Sequence, residues 1–118
     1  MRTDFSKNPL IQKCISFGID VVEYAEFLEN KKKFVVAKQL LKSATSIGAN
    51  ALEAQSAESR TDFIHKLKIA DKEAFETWFW FRICEGSKGY DFNIKLEQTL
   101  MEILKLLDSI IRSATRNR

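Results

Sequence analysis

Leu40-Leu41-Lys42-Ser43-Ala44-Thr45-Ser46-Ile47-Gly48-Ala49-Asn50-Ala51 carries its apolar and small residues at Leu40, Leu41, Ala44, Ile47, Gly48 and Ala51. Spacings of three and four mark one face of an α-helix, whereas a strand changes face at every residue. Traced outward, the stripe takes in Ala37, and the pattern predicts a helix over about residues 34–58. Small residues dominate its inner face. A glycine inside a helix costs about 1 kcal/mol relative to Ala, so Gly48 predicts a close approach by a second helix.

The same period runs through the rest of the chain. Asn8-Pro9 reads as a cap followed by proline in the first helical turn. Leu10, Cys14, Phe17, Val21, Ala25 and Leu28 then form one stripe over residues 9–29, which Asn30-Lys31-Lys32 ends. Ser59-Arg60-Thr61-Asp62 resembles a capping box with Asp in place of Glu or Gln. It opens a helix over 60–85 whose inward face is Phe63, Leu67, Ala70, Ala74, Thr77, Trp78 and Phe81. Gly86-Ser87-Lys88-Gly89 supplies the glycines expected after a helix. Leu96, Leu100, Ile103, Leu104, Leu107 and Ile111 define a fourth helix over 92–114. Arg112, Arg116 and Arg118 follow where cations complement the helix dipole. Short connections make neighbouring helices antiparallel. The expected fold is all-α: an up-down-up-down four-helix bundle formed by one domain, residues 1–118.

Composition agrees. With 118 residues, 45% hydrophobic and 30% charged, the chain suits one globular domain rather than a disordered segment. Four glycines and one proline are too few for a β-sandwich or barrel. The 19 Lys plus Arg against 16 Asp plus Glu leave a net charge of +3, which permits nucleic-acid contact without arguing for it. Met1-Arg2-Thr3-Asp4-Phe5 opens no secretory signal, and no apolar run reaches membrane-spanning length. The expected compartment is the cytoplasm, with no membrane partner. Cys14 and Cys84 are then reduced thiols acting as small buried hydrophobes. In this topology they stand about 25 Å apart along the bundle, beyond the roughly 7 Å that a disulfide tolerates.

The third helix carries more apolar surface than a monomeric bundle uses. Ile64, Phe75, Phe79 and Ile83 fall on a second stripe, interrupted by Lys68 and Lys72, and Trp80 points in a further direction. Such surface marks an interface, and these five apolar residues are the candidate oligomer contacts. Charge segregates as well. Asp20, Glu23, Glu26 and Glu29 lie outward on the first helix; Lys38, Lys42, His65, Lys68 and Lys72 lie outward on the second and third. Opposite signs on opposite sides permit head-to-tail contacts that close into rings.

Catalytic and metal patterns are sparse. There is no phosphate-binding glycine loop, no Cys-x-x-Cys and no His-Glu-x-x-His. A thiol nucleophile needs the single histidine, His65, beside it, and nothing in the sequence puts it there. Asp62-x-x-His65 is one half of a di-iron-type pair, and no second histidine completes it. The expectation is no cofactor, no metal and no catalytic residue. Asn50 with Glu53, and Glu73 with Glu76, sit three apart. Either pair binds a ligand or ties helices together by hydrogen bonds.

Residues 40–54, with the Ser46-Ile47-x-Ala49-Asn50 core followed by Glu53, resemble the signature of the small four-helix-bundle proteins encoded in 23S rRNA intervening sequences. Ser59, Asp62-Phe63, Lys66, Ile69-Ala70, Lys72-Glu73-Ala74 and Glu76-Thr77-x-Phe79-Trp80 extend the resemblance to about residues 5–115. Gly48 stands where many members have Pro, and Ala54 where they have Gly. The resemblance implies a left-handed bundle and cyclic homo-oligomers, typically pentamers. It also implies kinship with accessory proteins of diversity-generating retroelements, which partner a reverse transcriptase and bear basic surface for nucleic acid. Two functional readings stay open. One is a non-enzymatic oligomeric scaffold touching RNA or DNA through Lys38, Lys42, Lys68, Lys72 and Arg82. The other is a protein-interaction module anchored by Phe75, Phe79 and Trp80.

Overall fold

The computed structural model describes residue 5 and residues 7–117. Met1 to Asp4, on which the reading of the chain start rests, and Arg118 of the terminal arginine group lie outside the described residues. Four helices follow one another: α1, Pro9–Asn30; α2, Phe34–Ala54; α3, Arg60–Gly86; and α4, Ile94–Arg116. Among the described residues there is no strand.

The N-caps of α1 and α3 are those the sequence announces, whereas α3 closes at Ser87, in extended conformation, with Gly86 its last helical residue. The Asn8 carboxamide oxygen accepts from the Leu10 and Ile11 amides at 3.0 and 3.2 Å, with Pro9 at the first helical position. Ser59 Oγ accepts from the Asp62 amide at 3.0 Å. The Asp62 carboxylate reaches back to the Glu58 amide at 3.4 Å, which leaves it committed to the helix end. Lys32 ends α1 in the left-handed region at φ 64°. Its amide reaches Glu29 O and that of Lys33 reaches Leu28 O, both at 2.8 Å, the bond pair of a Schellman motif.

Two boundaries differ from expectation. α2 stops at Ala54 rather than near 58, because the Gln55, Ser56 and Ala57 amides bond three residues back, to Leu52, Glu53 and Ala54. That tighter winding ends the α-helix. α4 begins at Ile94, after Asn93 turns its side chain onto the Lys95 amide at 2.9 Å.

Each helix packs against two others: α2 with α1 and α3, and α4 with α3 and α1. The α2–α3 contact is the most extensive and α1–α4 the least. The diagonal backbones stay apart. α1 and α3 meet through side chains at the bundle centre, where the Phe17 and Phe81 rings lie edge to face at 6.2 Å. This is the expected up-down-up-down bundle. Leu40, Ile47, Leu67, Leu100, Ile103 and Leu107 fill the core around those rings. A Cβ placed on Gly48 would stand 3.1 Å from Cys14 Cβ, so α1 does approach α2 at this glycine. Both cysteines are buried and unbridged, one on α1 and one on α3. A hydroxyl pair lies inside the α2–α3 contact, Ser43 Oγ to Thr77 Oγ1 at 2.9 Å, both fully buried.

The inward face of α3 is Ile64, Leu67, Ala70, Ala74, Thr77, Phe81 and Cys84. Ile64 is thus a core residue, 3% exposed, and not an oligomer contact. It shares with Asp71 and Arg82 the side of α3 that turns toward α4. Phe63 is only half-buried because α2 ends early and leaves an open cleft at that end of the bundle. Trp78, expected inside, is 39% exposed at the α3 margin.

Candidate functional site

Phe75, Phe79 and Ile83 lie four residues apart on α3 and are 59%, 52% and 37% exposed. They form the outward stripe expected from the sequence, less Ile64. Lys68 and Lys72 continue it toward the start of α3, both exposed. Trp80 stands aside from the stripe. It is half-buried, donates its indole N–H to Glu76 at 3.1 Å and holds its ring edge-on to Phe79 at 5.3 Å. That polar tie explains why a large aromatic tolerates the outer part of the bundle.

The basic residues divide into two kinds. Lys38, Lys42, Lys68 and Lys72 are exposed and make no ion pair among the described residues. Arg82 is different. Its guanidinium pairs with Glu97 on α4 and with Glu85 at 3.5 Å, over the rings of Trp78 and Phe92. Half-buried and neutralised on both sides, it clamps α3 to α4 and leaves the candidate nucleic-acid set. Arg112 similarly pairs with Asp108 at 2.9 Å.

The motif residues do structural work. Ile47 is fully buried. Ser46 Oγ donates to Lys42 O at 2.7 Å, and Asn50 donates its side-chain N–H to Ser46 O at 2.8 Å, both within α2. Glu53 takes the Lys66 ammonium of α3 at 3.2 Å. Glu53 thus ties α2 to α3 by an ion pair, while Asn50 spends its donor on its own helix. Burial raises the Glu73 carboxyl pKa, neighbouring Glu76 adds to this, and the Lys42 ammonium opposes it.

Thiol chemistry finds no support. Burial pushes the Cys14 thiol up to about 11. Burial also raises Cys84, against a hydrogen bond with Tyr24 that pulls the other way. Neutral thiols are poor nucleophiles. His65 lies on the same helix as Cys84, nineteen residues and about 28 Å away. Among the described residues no group of three His, Cys, Asp or Glu side chains converges as a metal site.

The structure adds a surface that the sequence reading passed over. Ile15, Ile19 and Val22 on α1 are 58%, 56% and 40% exposed. With Gly18, Gly48 and Leu52, Ile15 lines an apolar groove between α1 and α2. The spacing of four and three carried the signal. The core stripe and the acidic positions of α1 account for the helix without it.

The 23S rRNA-intervening sequence protein family matches residues 6–114. The chain belongs to that family. It is also similar to a crystal structure from Bacteroides thetaiotaomicron, a protein of unknown function from the S23 ribosomal protein family. The two share 42% identity and a TM-score of 0.77 over 86% of this chain and 97% of the other. No curated protein matches. Neither the family nor the neighbour carries the name of an enzymatic activity. Among the described residues no helix is long and apolar enough to cross a membrane.

Proposed function

We propose that this protein is a non-enzymatic homo-oligomeric scaffold, a ring of five by the family resemblance, that touches RNA or DNA weakly when assembled. The observation that carries this is the exposed apolar stripe Phe75, Phe79 and Ile83 on a bundle whose core is already filled without it. Water-exposed aromatics in a row are costly unless a partner covers them. The protonated thiols and the helix-capping role of Asp62 support a protein without catalytic chemistry. Lys38 and Lys42, exposed and one turn apart on α2, are the phosphate-contacting positions. A single subunit offers too few such contacts to bind, and repetition around an assembly multiplies them.

Light scattering tests the first half. The expected mass is a multiple of 13.6 kDa, and Phe79→Glu reduces it to one subunit with the helical signal retained. A wild-type mass of a single chain at micromolar concentration overturns self-assembly and leaves a module for another protein, such as a reverse transcriptase. A gel shift tests the second half. Binding is expected near roughly 50 mM salt and lost by roughly 200 mM, as phosphate contacts require. Lys38→Glu with Lys42→Glu removes it at unchanged mass. No shift at low salt refutes the nucleic-acid contact.

A further inference from the structure

The exposed faces of α1 and α3 carry the same pattern in opposite order. On α1 the positions Ile15, Ile19, Val22, Glu26 and Glu29 advance by four, three, four and three. On α3 the positions Lys68, Lys72, Phe75, Phe79 and Ile83 advance by four, three, four and four. Both are the narrow seam of a helix that packs against one partner helix. All ten side chains are exposed. None of the four charged ones makes an ion pair among the described residues. The seams run over residues 15–29 and 68–83, about 21 and 22 Å. The α1 seam runs from apolar to acidic, and the α3 seam from basic to apolar.

We infer that α1 of one copy packs antiparallel against α3 of the next, with Ile15, Ile19 and Val22 against Ile83, Phe79 and Phe75, and with Glu26 and Glu29 against Lys72 and Lys68. Running the two seams antiparallel meets apolar with apolar and acid with base at once. A parallel arrangement sets Lys68 and Lys72 against Ile15 and Ile19, and Glu26 and Glu29 against Phe79 and Ile83. Ile15 borders the apolar groove lined by Gly18 and Gly48, at the end of the α1 seam that meets Ile83. α1 and α3 are diagonal in the bundle, so one neighbour cannot cover both faces. The contact is heterologous, each copy giving α3 to one neighbour and α1 to another, and a finite assembly of this kind is a ring. Lys68 and Lys72 are then spent on the neighbour's carboxylates and drop out of the nucleic-acid surface.

This orientation rests on the self-assembly proposed above, and the experiment separates the two. Glu26→Lys with Glu29→Lys, and separately Lys68→Glu with Lys72→Glu, should each weaken association about tenfold or more, since like charges then face each other. The chain carrying all four reversals should recover to within about threefold of wild type. In a background with Cys14→Ala and Cys84→Ala, Glu26→Cys together with Lys72→Cys should oxidise to a ladder of linked chains. Lys72→Cys alone should not. A monomeric wild type overturns self-assembly and this orientation together. An oligomeric wild type whose four-fold reversal stays dissociated, or whose paired cysteines fail to link, overturns the orientation and leaves self-assembly standing. Linked dimers from Lys72→Cys alone indicate a two-fold contact through α3 and overturn it equally.

Discussion

Gly48 is where the packing of α1 on α2 is most sharply testable. The Cβ of any other residue there would stand 3.1 Å from Cys14 Cβ, inside the roughly 3.5–4.0 Å at which carbon atoms are most stable. The obstructing atom is a Cβ, fixed directly to the α1 backbone rather than at a flexible side-chain tip, so relief requires the helices to part. Gly48→Ala gains about 1 kcal/mol of helix propensity and loses a similar amount to this overlap. It should lie within about 0.5 kcal/mol of wild type. Gly48→Leu keeps most of the propensity gain but must also seat three further carbons between α1 and α2. Overpacking of that kind costs typically 1–3 kcal/mol, for a net loss of up to about 2 kcal/mol. Ala49, one residue on, is exposed, and Ala49→Leu should change stability by less than about 0.5 kcal/mol. Urea unfolding followed by circular dichroism, at a subunit concentration held constant, measures all three. A Gly48→Leu protein as stable as wild type, beside a destabilised Ala49→Leu, would refute the register of α2 and the close approach.

Two further outcomes follow from buried groups. Ser43→Ala and Thr77→Val should each cost about 1 kcal/mol, and the double variant less than the two together, because removing both hydroxyls leaves no polar group orphaned. Strict additivity would mean that the 2.9 Å contact contributes nothing. Cys14 makes stability fall at high pH. Its thiol ordinarily ionises near 9.0, and in the fold only at about 11. The unfolded chain therefore releases its proton first, and stability present below pH 9 is lost as pH rises toward 11, by about 2 kcal/mol. A Cys14→Ala protein should have a flatter profile over that range, and an unchanged profile would contradict the burial of the thiol.

The four helices, the N-caps of α1 and α3 and the core stripes of α1, α2 and α4 were legible in the chain because they are local facts. A stripe spaced by three and four reports its own burial, and Asn8 and Ser59 report the amides they cap. Gly48 even announced a neighbour, since no other reason excuses a glycine there. The exposed aromatic stripe of α3 was legible for the same reason, as surplus over one face. Only the packed bundle decided the rest. α2 stops at Ala54 and Phe63 lines the cleft beyond it, while Ile64 is buried, and neither is a property of residues 63 and 64 themselves. Arg82 reads like any other cation until α4 brings Glu97 to it from fifteen residues away, whereas Lys38, Lys42, Lys68 and Lys72 meet no such partner among the described residues. The groove beside Ile15 exists because two helices far apart in sequence come together at a glycine. Local periodicity determines which side of a helix is buried. Which charges are spent, and which apolar faces remain for a partner, depends on what lies across the contact, and only the tertiary structure supplies that.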